Sequence, residues 1–201
     1  MIKKIGLALA ISGIGTFSFA QHMVRPQGNS GSCPKVYLGV STGLENQAGL
    51  LGFTVDVPIV SQVSVGGGIG LSSWGTKIYA EGRYYFRPCQ RGWAIGAGIT
   101  HNTGFSNFTT ELPSGYGGNM STTLDLNPVT NGFVSGYHFF NLGRAHRHRF
   151  YLQAGYSFRL TSNNYTVVSG GPLTGDARQV MDILQPGGLI LGLGFSFGIG
   201  G

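Results

Sequence analysis

His101, Thr103 and Glu111 place an imidazole, a hydroxyl and a carboxylate within one short stretch. A histidine that takes a proton from a hydroxyl, oriented by a third group, is the arrangement of nucleophilic acyl transfer. The set is weak: a threonine would have to serve as nucleophile, and His101 reads more simply as a rim residue. His146 and His148, in RAHRHR (144–149), are one residue apart, and Cys33 and Cys89 form no zinc spacing, so neither group fills a metal site. Glycine clusters such as VGGGIG (65–70) lack the G-x-G-x-x-G pattern, and no helix start follows them to receive a phosphate. No metal, cofactor or catalytic residue is expected.

A more informative polar set is Asp56, Lys77, Glu81, Arg83 and Arg159, because each falls on the polar side of an alternating segment. Leu189, Leu191, Leu193, Phe195, Phe197 and Ile199 occupy one parity, and Gly192, Gly194, Ser196 and Gly198 the other. That is the two-residue period of a strand. A helix would mix the two sets on every side, and its glycines would cost about 1 kcal/mol each. The same alternation recurs over residues 36–41, 51–59, 63–72, 77–86, 93–100 and 150–160. The sixth run, roughly 122–140, sets Leu124 and Leu126 against Asp125 and Asn127 and then loses phase after Pro128, the mark of a bulge or an end of pairing.

Eight such runs, apolar on one face and polar or glycine on the other, predict an all-β chain: an eight-stranded antiparallel up-and-down transmembrane β-barrel. A soluble sandwich also alternates, but it would show a charged face, whereas the second face here is mostly Gly, Ser, Thr and Tyr. Charged residues make up only 10% of the 201 positions, against roughly 25% in soluble domains. Predicted connections alternate in length. Long ones cover 42–48, 73–75, 103–121 and 161–186, and short ones 58–61, 87–92 and 141–149, as outer loops and inner turns of such a barrel do.

The amino terminus carries Lys3 and Lys4, a short apolar run and Ser18-Phe19-Ala20, the pattern of a secretory signal peptide. An anchor helix is disfavoured by the shortness of that run and its glycines. The expected organisation is a signal over 1–20, a flexible periplasmic segment over 21–34 and a barrel over 35–201.

With the signal, the alternation and segments such as LNPVTNGFVSGYHFF and FYLQAGYSF, the chain resembles the small eight-stranded outer-membrane barrel proteins of Gram-negative bacteria, the OmpA/OmpX-like group. The resemblance covers nearly the whole chain after the signal and concerns architecture rather than activity. Members commonly end in an aromatic residue; here the last aromatic is Phe197. An even strand count returns both termini to the periplasm; the resemblance implies an outer-membrane location with lipopolysaccharide outside and phospholipid inside as lipid partners, and a monomer is expected.

An eight-stranded barrel leaves an interior just wide enough for side chains, and buried ions must be paired. Asp56, Lys77, Glu81, Arg83 and Arg159 are therefore expected to form a lumen charge network, more readily a plug than a selective channel, with Tyr37, Tyr79, Tyr85 and Tyr151 reaching in beside them. Basic residues Arg25, Lys35, Arg83, Arg87, Arg91, Arg144, Arg147 and Arg149 map to the periplasmic half, and Glu45, Glu111, Asp176 and Asp182 to the outer loops. Removing Lys3 and Lys4 lowers the formal net charge from +6 to +4. RAHRHR is either a solvated turn or a contact for anionic phospholipid heads or a periplasmic partner. Nucleic acid is not an expected partner, since no supporting fold or compartment accompanies the charge.

Cys33 and Cys89 both map to the periplasmic mouth, an oxidising compartment, so a Cys33–Cys89 disulfide is expected, holding the amino-terminal segment as a partial lid; two unpaired thiols are the alternative. Phe105, Phe108, Tyr116 and Tyr165 in the outer loops are candidates for recognition of an extracellular ligand. The expected function is structural or surface-interacting with at most a narrow pore. The alternatives are a small-solute porin and an outer-leaflet lipid A hydrolase, the latter resting on His101 at the outer rim.

Overall fold

The computed structural model describes residues 33–113, 119–143, 147–162, 164–169, 174–176, 179, 181 and 185–200. The signal, almost all of the 21–34 segment, and Arg25, Tyr116, Arg144, His146 and Asp182 lie outside the described residues.

Eleven strands are present among the described residues: β1 Val36–Leu44, β2 Leu51–Val60, β3 Val63–Ser72, β4 Gly75–Arg87, β5 Arg91–Asn102, β6 Phe105–Pro113, β7 Asn119–Leu126, β8 Val129–Leu142, β9 His148–Arg159, β10 Tyr165–Ser169 and β11 Gly188–Ile199. Eight of them close into a barrel in the order β1-β11-β9-β8-β5-β4-β3-β2. Every neighbouring pair is antiparallel, and closure is made by β1 against β11, with Leu38 opposite Phe197 and Tyr37 opposite Gly198. On its other side Tyr37 faces Asp56 and Leu38 faces Val55. Directly opposite residues share a face of a sheet, so the two parities read from the sequence run unbroken around the barrel as one inner and one outer surface.

The outer surface is apolar and uncovered. Phe53 is 70% exposed, Leu71 64% and Trp93 62%, and comparable residues line every barrel strand. Soluble monomers rarely show contiguous apolar patches beyond a few hundred Å². The inner surface is buried and largely polar, with tyrosine and phenylalanine clusters around Tyr85, Tyr137, Phe139 and Tyr151 and around Tyr79 and Phe133.

The sixth run requires correction. Residues 122–140 are not one strand: Asn119–Leu126 belongs to a separate three-stranded sheet ordered β10-β7-β6, and barrel pairing starts only at Val129. Pro128 has no amide hydrogen to donate to a ladder, and the chain changes sheets across Asn127 and Pro128. The described parts of the two longest connections thus carry strands of their own, β6, β7 and β10. Leu124, Leu126, Val129 and Met181 close over Trp74, with Tyr165 packed against them, and Trp74 Nε1 donates to the Asn127 carbonyl at 3.0 Å.

Candidate functional site

The inward side chains of the strands build the lumen in layers. β2 contributes Asp56, β4 Lys77, Glu81 and Arg83, and β9 Arg149, none more than 3% exposed. Arg83 donates from Nη2 to Glu81 Oε2 at 2.8 Å, while Nη1 lies 3.6 Å from Asp56 Oδ2. Arg149 donates from Nη2 to the same Asp56 oxygen, from Nε to Ser196 Oγ at 3.0 Å and from Nη1 to Tyr85 Oη at 3.2 Å. Tyr85 Oη in turn donates to Asp56 Oδ2 at 2.9 Å. Two guanidiniums and two carboxylates thus neutralise one another.

Aromatic rings seal the space between the charges. The Arg149 guanidinium carbon stands 3.5 Å from the centroid of Tyr37 and 4.6 Å from that of Phe139, and that of Arg83 stands 4.7 Å from Tyr137, all within cation–π range. Tyr137 Oη donates to Glu81 Oε1 and accepts from Gln153 Nε2 at 3.0 Å. Small residues make the close packing geometrically feasible. A Cβ at Gly96 would run into the Glu81 carboxylate and sit 3.1 Å from the Tyr137 ring.

Above this layer the first outer loop dips into the barrel. Asn46, Gln47 and Ala48 are fully buried, and Asn46 Nδ2 donates to Gln153 Oε1 at 3.3 Å. Gly192 leaves the room for Asn46, since a Cβ there would overlap its amide. Glu45, placed by the sequence reading in an outer loop, accepts from Lys77 Nζ at 3.2 Å and from the Gly187 amide at 3.2 Å. Lys77 therefore pairs with the loop rather than with the central charges.

Two assignments change. Arg159 is not part of the lumen network: it has inward parity but is the last residue of β9, stands opposite Asn131, is exposed, and donates to Gln185 Oε1. Arg149 replaces it. The expected inner turn 141–149 includes Arg149, but β9 begins at His148, and Arg149 is one step back along the inward series Tyr151, Gln153, Gly155. Extending that parity was the available signal. Tyr137 was missed because the sixth run had lost its phase.

At the inner mouth Cys33 and Cys89 form a disulfide with Cα atoms 5.2 Å apart. Gln90, buried beside Cys89, donates from Nε2 to the Val60 and Ser61 carbonyls at 3.2 and 3.0 Å. Pro34 is buried and packs over Gly198.

The hydrolytic set is not assembled. The His101 ring hydrogen-bonds Thr130 Oγ1 at 2.9 Å, Thr103 Oγ1 lies 3.2 Å from the Thr76 amide, and Glu111 stands opposite Ser121 in the β6–β7 sheet. His148 packs its ring against Phe197. No group of three or more metal-type ligands occurs among the described residues. Of the loop aromatics, Tyr165 belongs to the packing around Trp74, while Phe105 and Phe108 meet edge to face at 5.6 Å and remain partly exposed.

No family model and no curated protein matches the chain. Among solved structures it is similar to the N-terminal β-barrel domain of Pseudomonas aeruginosa OprF, with 15% identity over 82% of this chain and 97% of that one and a TM-score of 0.44. The fold assignment rests on the barrel's own closure and register.

Proposed function

We propose that the chain is a monomeric integral barrel of a bacterial outer membrane, with its termini on the periplasmic side, acting as a sealed anchor that presents its folded loop cap outside. The observation that carries this reading is the inversion of the fold: large apolar side chains cover the outside, while ion pairs fill the inside. Such an outside suits hydrocarbon, and a closed barrel is the strand-built form whose backbone is satisfied there. The loop asymmetry supports the orientation, since the folded cap lies at one end and short turns at the other.

A sealed lumen favours structure or surface interaction over conduction. Asp56, Glu81, Arg83, Tyr85, Tyr137 and Arg149 leave almost no surface to water at the level they occupy. Planar-bilayer recording of the purified, refolded protein tests the reading, and absence of sustained channels is the expected result. Stable ohmic steps would refute the seal. A helix-rich circular dichroism spectrum in detergent, or identical migration of boiled and unboiled samples on a denaturing gel, would refute the barrel anchor.

A further inference from the structure

Among the described residues, Lys35, Arg87 and Arg91 are cations at the inner mouth that take no part in the ion pairs of the lumen. Arg87 continues the inward series Lys77, Tyr79, Glu81, Arg83 and Tyr85 by one further alternation, beyond the last enclosed position. A register shift after Tyr85 sets Arg91 directly opposite it, so the two guanidiniums share a face. Phe86 and Trp93 occupy the outer, apolar face at the same end. In the closed strand order β1 lies four strands from β5 in either direction around the barrel, so the two strands stand on opposite sides of it. Lys35, two residues from Cys33 and on the inward parity of Tyr37, lies along Gly200 on that opposite rim. Arg87, Arg91 and Lys35 are all exposed.

Like charges directly opposite one another destabilise a strand pair. Asp56 and Glu81 are already engaged by Arg83 and Arg149. Residues 21–32 and 144–146 contain no Asp or Glu. The turn that carries the two arginines is also held in place. Cys89 and Gln90 have φ of 58° and 53°, a conformation uncommon for residues other than glycine, and the disulfide and the two Gln90 hydrogen bonds tie it down.

We propose that this mouth is a docking site for an acidic, carboxylate-rich peptide segment of a water-borne partner. The cations face the opening rather than the apolar belt, which favours a partner from the aqueous side over a lipid headgroup. The proposal rests on the membrane-barrel reading for the compartment of that partner, but its test is separate. Labelled hexaglutamate, titrated into the full chain in zwitterionic phosphatidylcholine nanodiscs, should bind with an affinity that falls as salt rises, and hexaglutamine should not bind. Arg87→Gln with Arg91→Gln should weaken hexaglutamate by about tenfold, whereas Arg159→Gln, at the other end, should leave it unchanged. Without peptide the double variant should unfold no earlier than the parent, because a repulsion has been removed. Should the double variant fail to show the heat-modifiable gel shift of a folded barrel, each single variant carries the same comparison. Equal affinities in parent and Arg87/Arg91 variants would overturn the proposal. So would loss of peptide binding on adding anionic phosphatidylglycerol to the disc, which would assign the mouth to lipid. Failure of the protein to enter nanodiscs would overturn the membrane reading instead.

Discussion

The lumen and the outer cap are two cores in one chain, built by opposite chemistry. In the lumen, Asp56, Glu81, Arg83 and Arg149 are buried among tyrosines and held by ion pairs and hydrogen bonds. In the cap, Trp74, Leu124, Leu126, Val129 and Met181 pack as hydrocarbon with one side-chain hydrogen bond from the indole. The difference follows from what each core has on its other side. A barrel strand in this chain spends its apolar face on the outer surface, so the inner face must be polar and self-satisfied. The cap sheet, separate from the barrel wall, hides its apolar face in the ordinary way.

The largest expected effect breaks the lumen. Glu81→Ala removes a partner from both Arg83 and Tyr137, and an orphaned buried charge costs about 3–5 kcal/mol. Urea unfolding in detergent should register that loss, and bilayer recording should show raised conductance. Glu81→Leu combined with Arg83→Met should cost less than Glu81→Ala alone, since Asp56 keeps Arg149. Unchanged stability in Glu81→Ala would mean that these charges are not the lumen's core.

Next in size is a cavity in the cap. Leu124 is fully buried, and Leu124→Ala should cost about 3 kcal/mol, confined to the cap. Hydrogen exchange should quicken in β6, β7 and β10 and stay constant in β8 and β9. Quickening throughout the barrel would show that the two cores are one cooperative unit. The smallest effect is Trp74→Phe, which keeps a ring but loses the bond to Asn127; about 1 kcal/mol is expected, visible as a modest rise in exchange of the same three strands.

Much of this was legible in the chain because a strand's facing is a local property. Successive side chains alternate whatever the partner, so Leu38, Phe53, Ile95 and Phe197 could be assigned outward and Tyr37, Asp56, Glu81 and Arg83 inward from parity alone. The low charge and the spacing of turns then pointed to closure. The Cys33–Cys89 pairing was reachable too, because an up-and-down order puts both residues at the same end.

What tertiary structure decided was pairing. Asp56 and Arg149 are far apart in sequence, and they meet only because β1 closes on β11 in one register and carries β2 and β9 to facing sides of a narrow lumen. Arg159 has the same parity as Arg149 and fails to join because inward facing does not specify height along the barrel. The descent of Asn46 to Ala48 and the cap formed around Trp74 were equally hidden, since loop folding depends on long-range contacts. Local periodicity thus determined which way each side chain points, and only closure determined what it meets there.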